Sequence, residues 1–225
     1  MKIIWLGQAG LLLESEKLKI MVDPYLSDSV GERSPEKHRR LPINEGIFDI
    51  RPDVMIFTHD HLDHYDPKTA GEFLARYDGM TILAPFSVWD EVRKSGGTNN
   101  YVVFNRGTSW TEGEICFTAV RAEHSDPFAI GVIIDDGERR YYVTGDTLYN
   151  EEIFECIPSD IFAIFLPING VGNNMNMEDA ARFCERVVPK IAVPFHCGLF
   201  DDIDMNEFSF SPKIIPEIYK EIKLK

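Results

Sequence analysis

The sequence lacks long apolar runs, paired cysteines and an N-terminal signal. No apolar run approaches the roughly 20 residues that a membrane-spanning helix needs. Residues 1–5 are followed by neither the long apolar stretch nor the cleavage site of a signal peptide. The four cysteines include no Cys-x-x-Cys pair, so we expect reduced, mostly buried thiols rather than a disulfide framework. Together these absences predict a cytoplasmic protein that has no membrane partner.

Positive charge is also scarce. The chain has 23 lysines and arginines against 37 aspartates and glutamates, which gives a formal net charge of −14. A surface that binds nucleic acid needs clustered basic residues, so we expect no nucleic-acid partner. A small anionic substrate stays compatible with this charge, because a metal site creates its own local field. The length of 225 residues suits a single domain, 1–225, with a sizeable core.

Metal-ligating side chains are concentrated in one stretch of the chain. Residues 54–57 are apolar and β-prone, which predicts a buried strand. If the backbone stays extended beyond this strand, alternate side chains point the same way, so His59 and His61 project together. Asp63 and His64 follow where the chain turns. Two imidazoles for one cation, and a carboxylate with an imidazole for a second, suit borderline divalent metals.

A polar loop that merely contains histidines is the ordinary alternative for this stretch. It is the weaker explanation, because three of the six histidines in the chain lie here. The stretch leads into a predicted helix at 68–77, with Asp66 as its N-cap and Pro67 at its first position.

Two further histidines come just after predicted strands. His124 follows the strand 114–119, where a third imidazole for the first cation is needed. A lone histidine there would usually be structural, but the upstream cluster favours a ligand. His196 directly follows the strand 190–195, as the second cation requires.

Two aspartates occupy similar positions. Asp146 follows Gly145, which lets backbone approach closely, and it suits a carboxylate that bridges two cations. Its alternative role is to cap a helix at 150–156. Asp23 ends a strand and precedes Pro24, so it either orients a metal-ligating imidazole or caps a turn.

The remaining pattern predicts further strands and helices. Strands are expected at 2–6, 11–14, 18–22, 81–84, 101–104, 108–110, 114–119, 128–134, 139–144, 160–166 and 190–195. Helices are expected at 87–94, 150–156, 177–187 and 213–223.

Two segments without periodicity are candidates for substrate contacts. In the loop 27–49, Arg39 or Arg40 could meet an anionic substrate group, although a solvated charged loop is the simpler explanation. The loop after residue 166 is rich in amides that could contact substrate hydroxyls, although asparagine is also an ordinary turn residue. These amides are Asn169, Asn173, Asn174 and Asn176.

The order His-x-His-x-Asp-His, then His, then Gly-Asp, then His resembles the metallo-β-lactamase-fold hydrolases. The resemblance implies an α/β (α+β) fold, a four-layer αββα sandwich in which two mixed sheets pack face to face. It also implies a ligand set of two groups and one bridge. His59, His61 and His124 would hold one metal, Asp63, His64 and His196 the other, and Asp146 would bridge them.

Shorter motifs are similar to the L-ascorbate-6-phosphate lactonase branch of that family. They are Trp5-Leu6-Gly7-Gln8-Ala9-Gly10, Leu166-Pro167-Ile168-Asn169-Gly170, Gly172-Asn173-Asn174-Met175-Asn176 and Pro194-Phe195-His196. This resemblance implies a hydrolase that uses a metal-activated water to open a small lactone or ester, with or without a phosphate group. The cofactor would be one or two zinc or manganese ions per chain.

The predicted catalytic residues are Asp63 and Asp146, which can orient the nucleophile and carry a proton to the leaving group. Cys197 beside His196 leaves a thiol nucleophile nominally open. Two divalent cations would outweigh the two carboxylates and a hydroxide, so we expect an anionic substrate. The rival functions are a phosphodiesterase of the same fold and a catalytically inactive metal-binding or sensor relative. A homo-oligomer is compatible with the sequence.

Overall fold

Alternating apolar residues build twelve strands in the computed structural model, which describes residues 1–224. The strands are β1 Lys2–Gly7, β2 Gly10–Glu14, β3 Lys19–Val22, β4 Val54–Ile56, β5 Thr81–Ala84, β6 Asn100–Val103, β7 Ser109–Glu112, β8 Ile115–Arg121, β9 Ile130–Asp135, β10 Arg140–Val143, β11 Ile161–Pro167 and β12 Ile191–Phe195. Every predicted strand is present to within two residues at each end.

Two six-stranded mixed sheets divide the strands between them. The first has the order β1-β2-β3-β4-β5-β6, and the second β12-β11-β10-β9-β8-β7. Each begins in chain order as an antiparallel meander and continues with parallel strands. Parallel neighbours need crossover connections, and these carry helices to the outer faces.

Four α-helices lie among the described residues. They are α1 Ser29–Arg33, α2 Pro67–Arg76, α3 Phe86–Val92 and α4 Met177–Val187. As predicted, Asp66 caps α2, accepting hydrogen bonds from the backbone amides of Lys68 and Thr69. Residues 1–224 contain no helix with the length and apolar character to cross a lipid bilayer.

Three apolar layers separate the elements. The inner faces of the two sheets share one core, with Trp5 and Ile56 from one sheet and Phe117 and Phe165 from the other. A second core fills the space between the first sheet and helices α2 and α3. A third lies between the second sheet and α4, where Phe183 is fully buried. The predicted four-layer αββα sandwich is therefore confirmed.

The predicted helix at 213–223 is wrong. This segment is extended or irregular, and part of its backbone bonds to neighbouring strands. Tyr219 N donates to Trp5 O at 2.7 Å, and Ile222 N donates to Ile3 O at 2.8 Å. Pro216 explains the failure, because its ring removes a backbone donor and disfavours the helical conformation in the residue before it. The segment instead covers β1, which would otherwise be an open sheet edge.

Two other segments differ from expectation in the kind of helix they form. Residues Glu151–Cys156 form a 3₁₀ helix where an α-helix was expected. The loop 27–49 contains α1 and two 3₁₀ turns, Pro35–Lys37 and Glu45–Asp49, despite its lack of periodicity. Short helices of this kind contain too few residues for a period of 3.6 to be visible in the sequence.

Candidate metal centre

Strands from both sheets end at one edge of the sandwich, and the ligand candidates follow these ends. Asp23 comes directly after β3, and His196 directly after β12. Asp146 lies three residues beyond β10, and His124 three residues beyond β8. Because these strand ends meet at the same edge, residues far apart in sequence become neighbours.

The loop after β4 differs in detail from the extended chain that was expected. The strand ends at Ile56, and a turn follows in which His61 O accepts hydrogen bonds from His64 N at 3.0 Å and Tyr65 N at 2.8 Å. His59 and His61 nevertheless project together, with ring centroids 4.7 Å apart. The turn, rather than strand alternation, then directs Asp63 and His64 to the neighbouring position.

Three imidazoles form what we call the histidine group: His59, His61 and His124. Their ring centroids are 4.6–4.7 Å apart in all three pairs. His124 Nε2 lies 3.0 Å from His61 Nδ1. His59 Nε2 lies 4.0 Å from Asp146 Oδ2, so the carboxylate forms the fourth corner of this group.

Asp63, His64 and His196 form what we call the mixed group. His64 Nε2 and His196 Nε2 are 3.0 Å apart, and Asp63 Oδ2 is 3.2 Å from His196 Nε2. Asp146 Oδ1 is 3.2 Å from each of these two imidazole nitrogens. Asp146 therefore directs one oxygen to each group, which is the geometry expected of a bridging carboxylate.

Each of the five histidines directs one ring nitrogen to the centre, while a protein group lies against the other. In the histidine group, the outer nitrogens of His59 and His61 each lie 3.1 Å from a hydroxyl, Thr58 Oγ1 and Ser125 Oγ respectively. The outer nitrogen of His124 lies 3.2 Å from the backbone oxygen of Asn173. In the mixed group, the outer nitrogen of His64 is 2.8 Å from Asp23 Oδ2, and that of His196 is 3.1 Å from Asn169 Nδ2. Such outer contacts orient imidazoles that ligate metals.

Asp23 has the orienting role that was one of its two sequence-based interpretations. It is fully buried, and besides His64 it accepts hydrogen bonds from Thr58 N at 2.8 Å and Thr58 Oγ1 at 2.5 Å. It therefore joins the end of β3 to the loop after β4. Gly145 has the predicted close approach, because a Cβ there would lie 2.6 Å from Ile130 O and 3.1 Å from Thr58 Cβ.

The surroundings of the two groups shift imidazole pKa values in opposite directions. Burial, reinforced by the neighbouring imidazole of His64, holds the pKa of His59 well below its ordinary value, and burial also lowers the pKa of His124. Burial acts the same way on His196, but Asp146 and Asp63 outweigh it and raise the pKa of His196 to about 9. The same balance raises the pKa of His64 well above its ordinary value.

The residues present fit a divalent cation in each group. Within each group the potential ligand atoms all lie within 4.8 Å of one another. His59 Nε2 and Asp146 Oδ1 are buried and have no hydrogen-bond partner among the described residues. Leaving buried polar atoms without partners is costly, and a cation in each group would satisfy one of these two atoms. The donors are imidazole and carboxylate without thiolate, a set that borderline divalent metals accept.

Comparison with known proteins agrees with this geometry. A family model for the Beta-lactamase superfamily domain matches residues 19–197. A UPF0173 metal-dependent hydrolase of Thermoplasma acidophilum is 30% identical over 241 residues, covering 100% of this chain and 99% of the relative. The chain belongs to the UPF0173 family of the beta-lactamase superfamily.

Two other comparisons concern a second relative and a solved structure. A UPF0173 metal-dependent hydrolase of Methanosarcina mazei is 32% identical over 233 residues, covering 92% of this chain and 89% of the relative. The solved structure of Igni18, a metallo hydrolase of Ignicoccus hospitalis, has a TM-score of 0.80 at 19% identity, covering 98% of this chain and 97% of that one. At that identity, the solved structure supports the fold alone.

A cleft of about 430 Å³ opens onto the centre of this family member. One wall consists of His61, Asp63, Asp146 and His196. The loop after β11 and the segment containing α1 supply two other walls. A volume of this size is typical of small-molecule sites.

Four side chains around the centre had no role in the sequence-based analysis. Gln8 Nε2 donates to Asp63 Oδ2 at 2.8 Å and lies 3.2 Å from His196 Nε2. Asp126 accepts from Asp60 N at 3.2 Å, which ties the loop of His124 to the loop of His59. Thr58 and Ser125 contact imidazoles, as described above. Position is the common signal of these four residues in the sequence, because each follows a strand or lies near a ligand candidate. Their residue types alone do not indicate a role at the centre.

The asparagines of the loop after β11 divide between two roles. Asn174 Nδ2 donates to Asp146 Oδ2 at 2.8 Å, and Asn169 contacts His196. Asn176 is the N-cap of α4, where its side chain accepts from Asp179 N, so its ordinary structural explanation holds. Asn173 has a positive φ of 63° and offers its backbone oxygen to His124.

Cys197 is a poor nucleophile. Its thiol is buried and donates to Phe195 O at 3.0 Å, and burial raises the pKa of Cys197 to about 12. A thiol that stays protonated at neutral pH does not attack a carbonyl efficiently. Of the other three free cysteines, Cys184 is buried, Cys116 is half-buried and Cys156 is exposed, so the expectation of mostly buried thiols is met only in part.

Arg39 and Arg40 do not line the cleft. Arg39 Nη1 donates to Tyr25 O at 2.8 Å, and its guanidinium lies over the Tyr25 ring. Arg40 pairs with Asp202, and its backbone amide donates to Leu199 O at 3.1 Å. Both arginines anchor the 27–49 segment to the rest of the fold, and a contact of either with substrate stays a prediction.

Proposed function

We propose that this protein is a cytoplasmic metal-dependent hydrolase that opens a small, anionic lactone or ester, as the L-ascorbate-6-phosphate lactonase resemblance implies. The cofactor we propose is one or two zinc or manganese ions per chain. The observation that carries the proposal is the arrangement of the five histidines. Each has one nitrogen at the centre and a protein group against the other, an arrangement that orients metal ligands and has no comparable value for packing.

We assign the ligands group by group. The histidine group would hold one ion, the mixed group the second, and Asp146 would bridge them. When bound, the ions would lower the pKa of a water molecule and polarise the carbonyl or phosphoryl oxygen of the substrate. Every other contribution in our proposal comes from side chains of the chain itself.

Asp63 is the residue we assign to proton transfer. Its Oδ2 accepts from Gln8, whereas Oδ1 has no hydrogen-bond partner among the described residues. Its side chain is 19% exposed and lines the cleft, so a substrate can reach it. Asp63 Oδ1 can therefore take a proton from the attacking water and return it to the leaving oxygen.

Asp146 contributes by position. It is buried, and Asn174 holds its Oδ2 while its Oδ1 lies between His64 and His196. Its carboxylate fixes the separation of the two groups and orients the attacking oxygen toward the cleft. A carboxylate that several neighbours hold keeps its position and orientation during the reaction, which favours catalysis.

Metal content and hydrolysis together test the proposal. We expect two equivalents of zinc or manganese in wild-type protein purified without added metal, and fewer in His61→Ala. His38→Ala is the matched control, since His38 is exposed and pairs with Asp28 outside the centre. Gluconolactone and bis-nitrophenyl phosphate separate a lactonase from a phosphodiesterase. Absence of metal after reconstitution, or metal without hydrolysis of any lactone or ester, would contradict the proposal.

A further inference from the structure

Two basic side chains line the cleft from the side of α1. Arg33 is the last residue of α1, and Lys37 ends the 3₁₀ turn that follows. Both line the cleft that contains His61, Asp63 and His196. Resting on the function proposed above, we propose that Arg33 and Lys37 form a subsite for a phosphate monoester at the far end of the substrate.

The charge surroundings of the pair support this assignment. Within residues 1–224, neither Arg33 nor Lys37 has a carboxylate oxygen within 4.0 Å, in a chain whose net charge is −14. The nearest acid on α1, Glu32, is turned away and pairs with Lys68 at 2.7 Å. In a strongly acidic protein, two cations without protein partners at the mouth of the site create a local positive field that favours an anion.

Three carboxylates line the cleft: Asp63 and Asp146 belong to the metal centre, and the third, Asp201, acts against an anion but is already engaged. Asp201 lines the same cleft and accepts hydrogen bonds from Gly198 N at 2.9 Å and Ile203 N at 3.1 Å. Backbone donors of this kind spread part of its negative charge into the turn that it stabilises. Asp201 therefore weakens the field of the two cations without cancelling it.

The segment that carries the pair is held in a defined position. Asp28 lies 2.5 Å from His38 Nδ1 and accepts from Arg39 N at 2.9 Å, so it closes the segment on itself. Val30 N donates to the Tyr25 hydroxyl at 3.1 Å. At Gly31 a Cβ would lie 2.8 Å from His38 Cα, so α1 packs against backbone. Because the backbone that carries both cations is held in place, binding an anion requires only their two exposed side chains to become ordered.

The chemistry of the pair favours phosphate over a carboxylate. A guanidinium offers parallel donors that match two phosphate oxygens, and an ammonium adds a point charge to the third. The hydroxyl of Ser34, between the two cations in sequence, also lines the cleft and can donate to the same group. The metal centre would then act on an ester or lactone bond at the opposite end of the same molecule.

The first test measures binding without turnover. Ribose phosphate and ribose are titrated into metal-loaded protein by calorimetry, with wild type, Arg33→Gln/Lys37→Gln and the control Lys19→Gln/Lys190→Gln. The control removes two exposed lysines that lie outside the cleft, so the net charge changes equally. We expect the affinity for ribose phosphate to fall about 10- to 100-fold in the first variant and to stay within twofold in the control.

The possible outcomes separate the subsite from its alternatives. Undiminished binding of ribose phosphate in Arg33→Gln/Lys37→Gln would place the phosphate on the metal ions and overturn the subsite. Equal losses of affinity in both variants would mean that net charge alone explains the effect, which would also overturn the subsite. A wild-type protein that binds ribose phosphate no better than ribose would do the same. Acetate, titrated in parallel, should distinguish the variants much less than phosphate does.

A second test connects the subsite to turnover and keeps it separate from the proposed function. Phosphogluconolactone and gluconolactone share the reactive bond, so the ratio of their kcat/KM values reports the phosphate contact. We expect this ratio to fall about 10- to 100-fold in Arg33→Gln/Lys37→Gln, with the gluconolactone rate unchanged. No hydrolysis of either lactone, with the preference for ribose phosphate retained, would refute the lactonase and leave the subsite standing. Hydrolysis of both with an unchanged ratio would refute only the subsite.

Discussion

The histidine group and the mixed group lie side by side, yet their surroundings shift imidazole pKa values in opposite directions. In the histidine group, burial keeps the pKa of His59 and of His124 below the ordinary value, so both rings are neutral at neutral pH. In the mixed group, neighbouring carboxylates outweigh burial and raise the pKa of His64 and of His196. A metal ion needs an unprotonated nitrogen, so protons compete with the ion more strongly in the mixed group.

The difference originates in the carboxylates. Asp23, Asp63 and Asp146 all act on His64, and Asp63 and Asp146 act on His196. In the histidine group, Asp146 is the carboxylate that raises the pKa of His59 and His124 against burial, and its Oδ2 is 4.0 Å from His59 Nε2. In the metal-free protein, the carboxylates that would neutralise a bound cation favour protonation of the imidazoles instead. We therefore expect the histidine group to bind its ion first.

Replacing the residue that the two groups share should have the largest effect. In Asp146→Asn the bridging charge is lost while the shape is kept, so both ions should bind more weakly and hydrolysis should fall by about a thousandfold or more. Asp136→Asn is the control, because Asp136 caps the hairpin turn at the opposite end of β10. Metal content and kcat/KM are measured together. Loss of only one ion would show that Asp146 belongs to a single group, which would contradict its role as the residue that the two groups share.

The pH dependence of metal binding should separate the two groups next. Binding to the mixed group displaces protons from His64 and His196, so its affinity should rise roughly tenfold per pH unit for each proton displaced, up to about pH 9. Affinity at the histidine group should change little above neutral pH, because His59 and His124 are already unprotonated. Competition with a chelating indicator at several pH values measures both constants. Equal slopes for the two ions would contradict the assignment of protons.

Removing the outer partner of one group should affect that group alone. In Asp23→Asn the contact to His64 Nδ1 is weakened, so we expect the affinity of the mixed group to fall about 10- to 100-fold. The histidine group should keep its ion. Asp53→Asn is the matched control, because Asp53 holds the backbone of Lys19 at the other end of the β3–β4 pair. A loss of both ions in Asp23→Asn, or an equal loss in the control, would point to general destabilisation.

The strand pattern explains why so much of the centre could be predicted. Strands such as β4, β10 and β12 are apolar and short, so the residues after them are easily located in the sequence. The ends of parallel strands meet at one edge, which brought His59, Asp146 and His196 together as expected. That these residues hold metal stays a prediction, because convergence alone does not establish binding.

The parts that could not be predicted depend on contacts far along the chain. Gln8 lies in a turn with a φ of 48°, and only the fold places its amide beside Asp63. In the 27–49 segment, the sequence contains basic residues at several positions, but the short helix α1 decides that Arg33 and Lys37 face the cleft and Arg40 does not. The failed helix at 213–223 has an amphipathic pattern, yet its backbone bonds to β1 outweigh that local preference.

The smallest effect we predict concerns the stability of the metal-free protein. His196 has a pKa of about 9 in the folded state against an ordinary value of 6.5, so its protonation stabilises the fold. That contribution is complete below about pH 6.5 and is lost as the pH rises through 9. It amounts to at most about 3 kcal/mol, so Tm with a chelator present should fall by up to about 6–12 °C over this range. Below pH 6.5 the lowered pKa of His59 acts in the other direction, because its protonation favours the unfolded chain. The metal-free protein should therefore be most stable near that pH, whereas the metal-loaded protein should show no such maximum. His64→Gln/His196→Gln should flatten the alkaline side of the curve, and an unchanged slope in that variant would assign the loss to residues outside the mixed group.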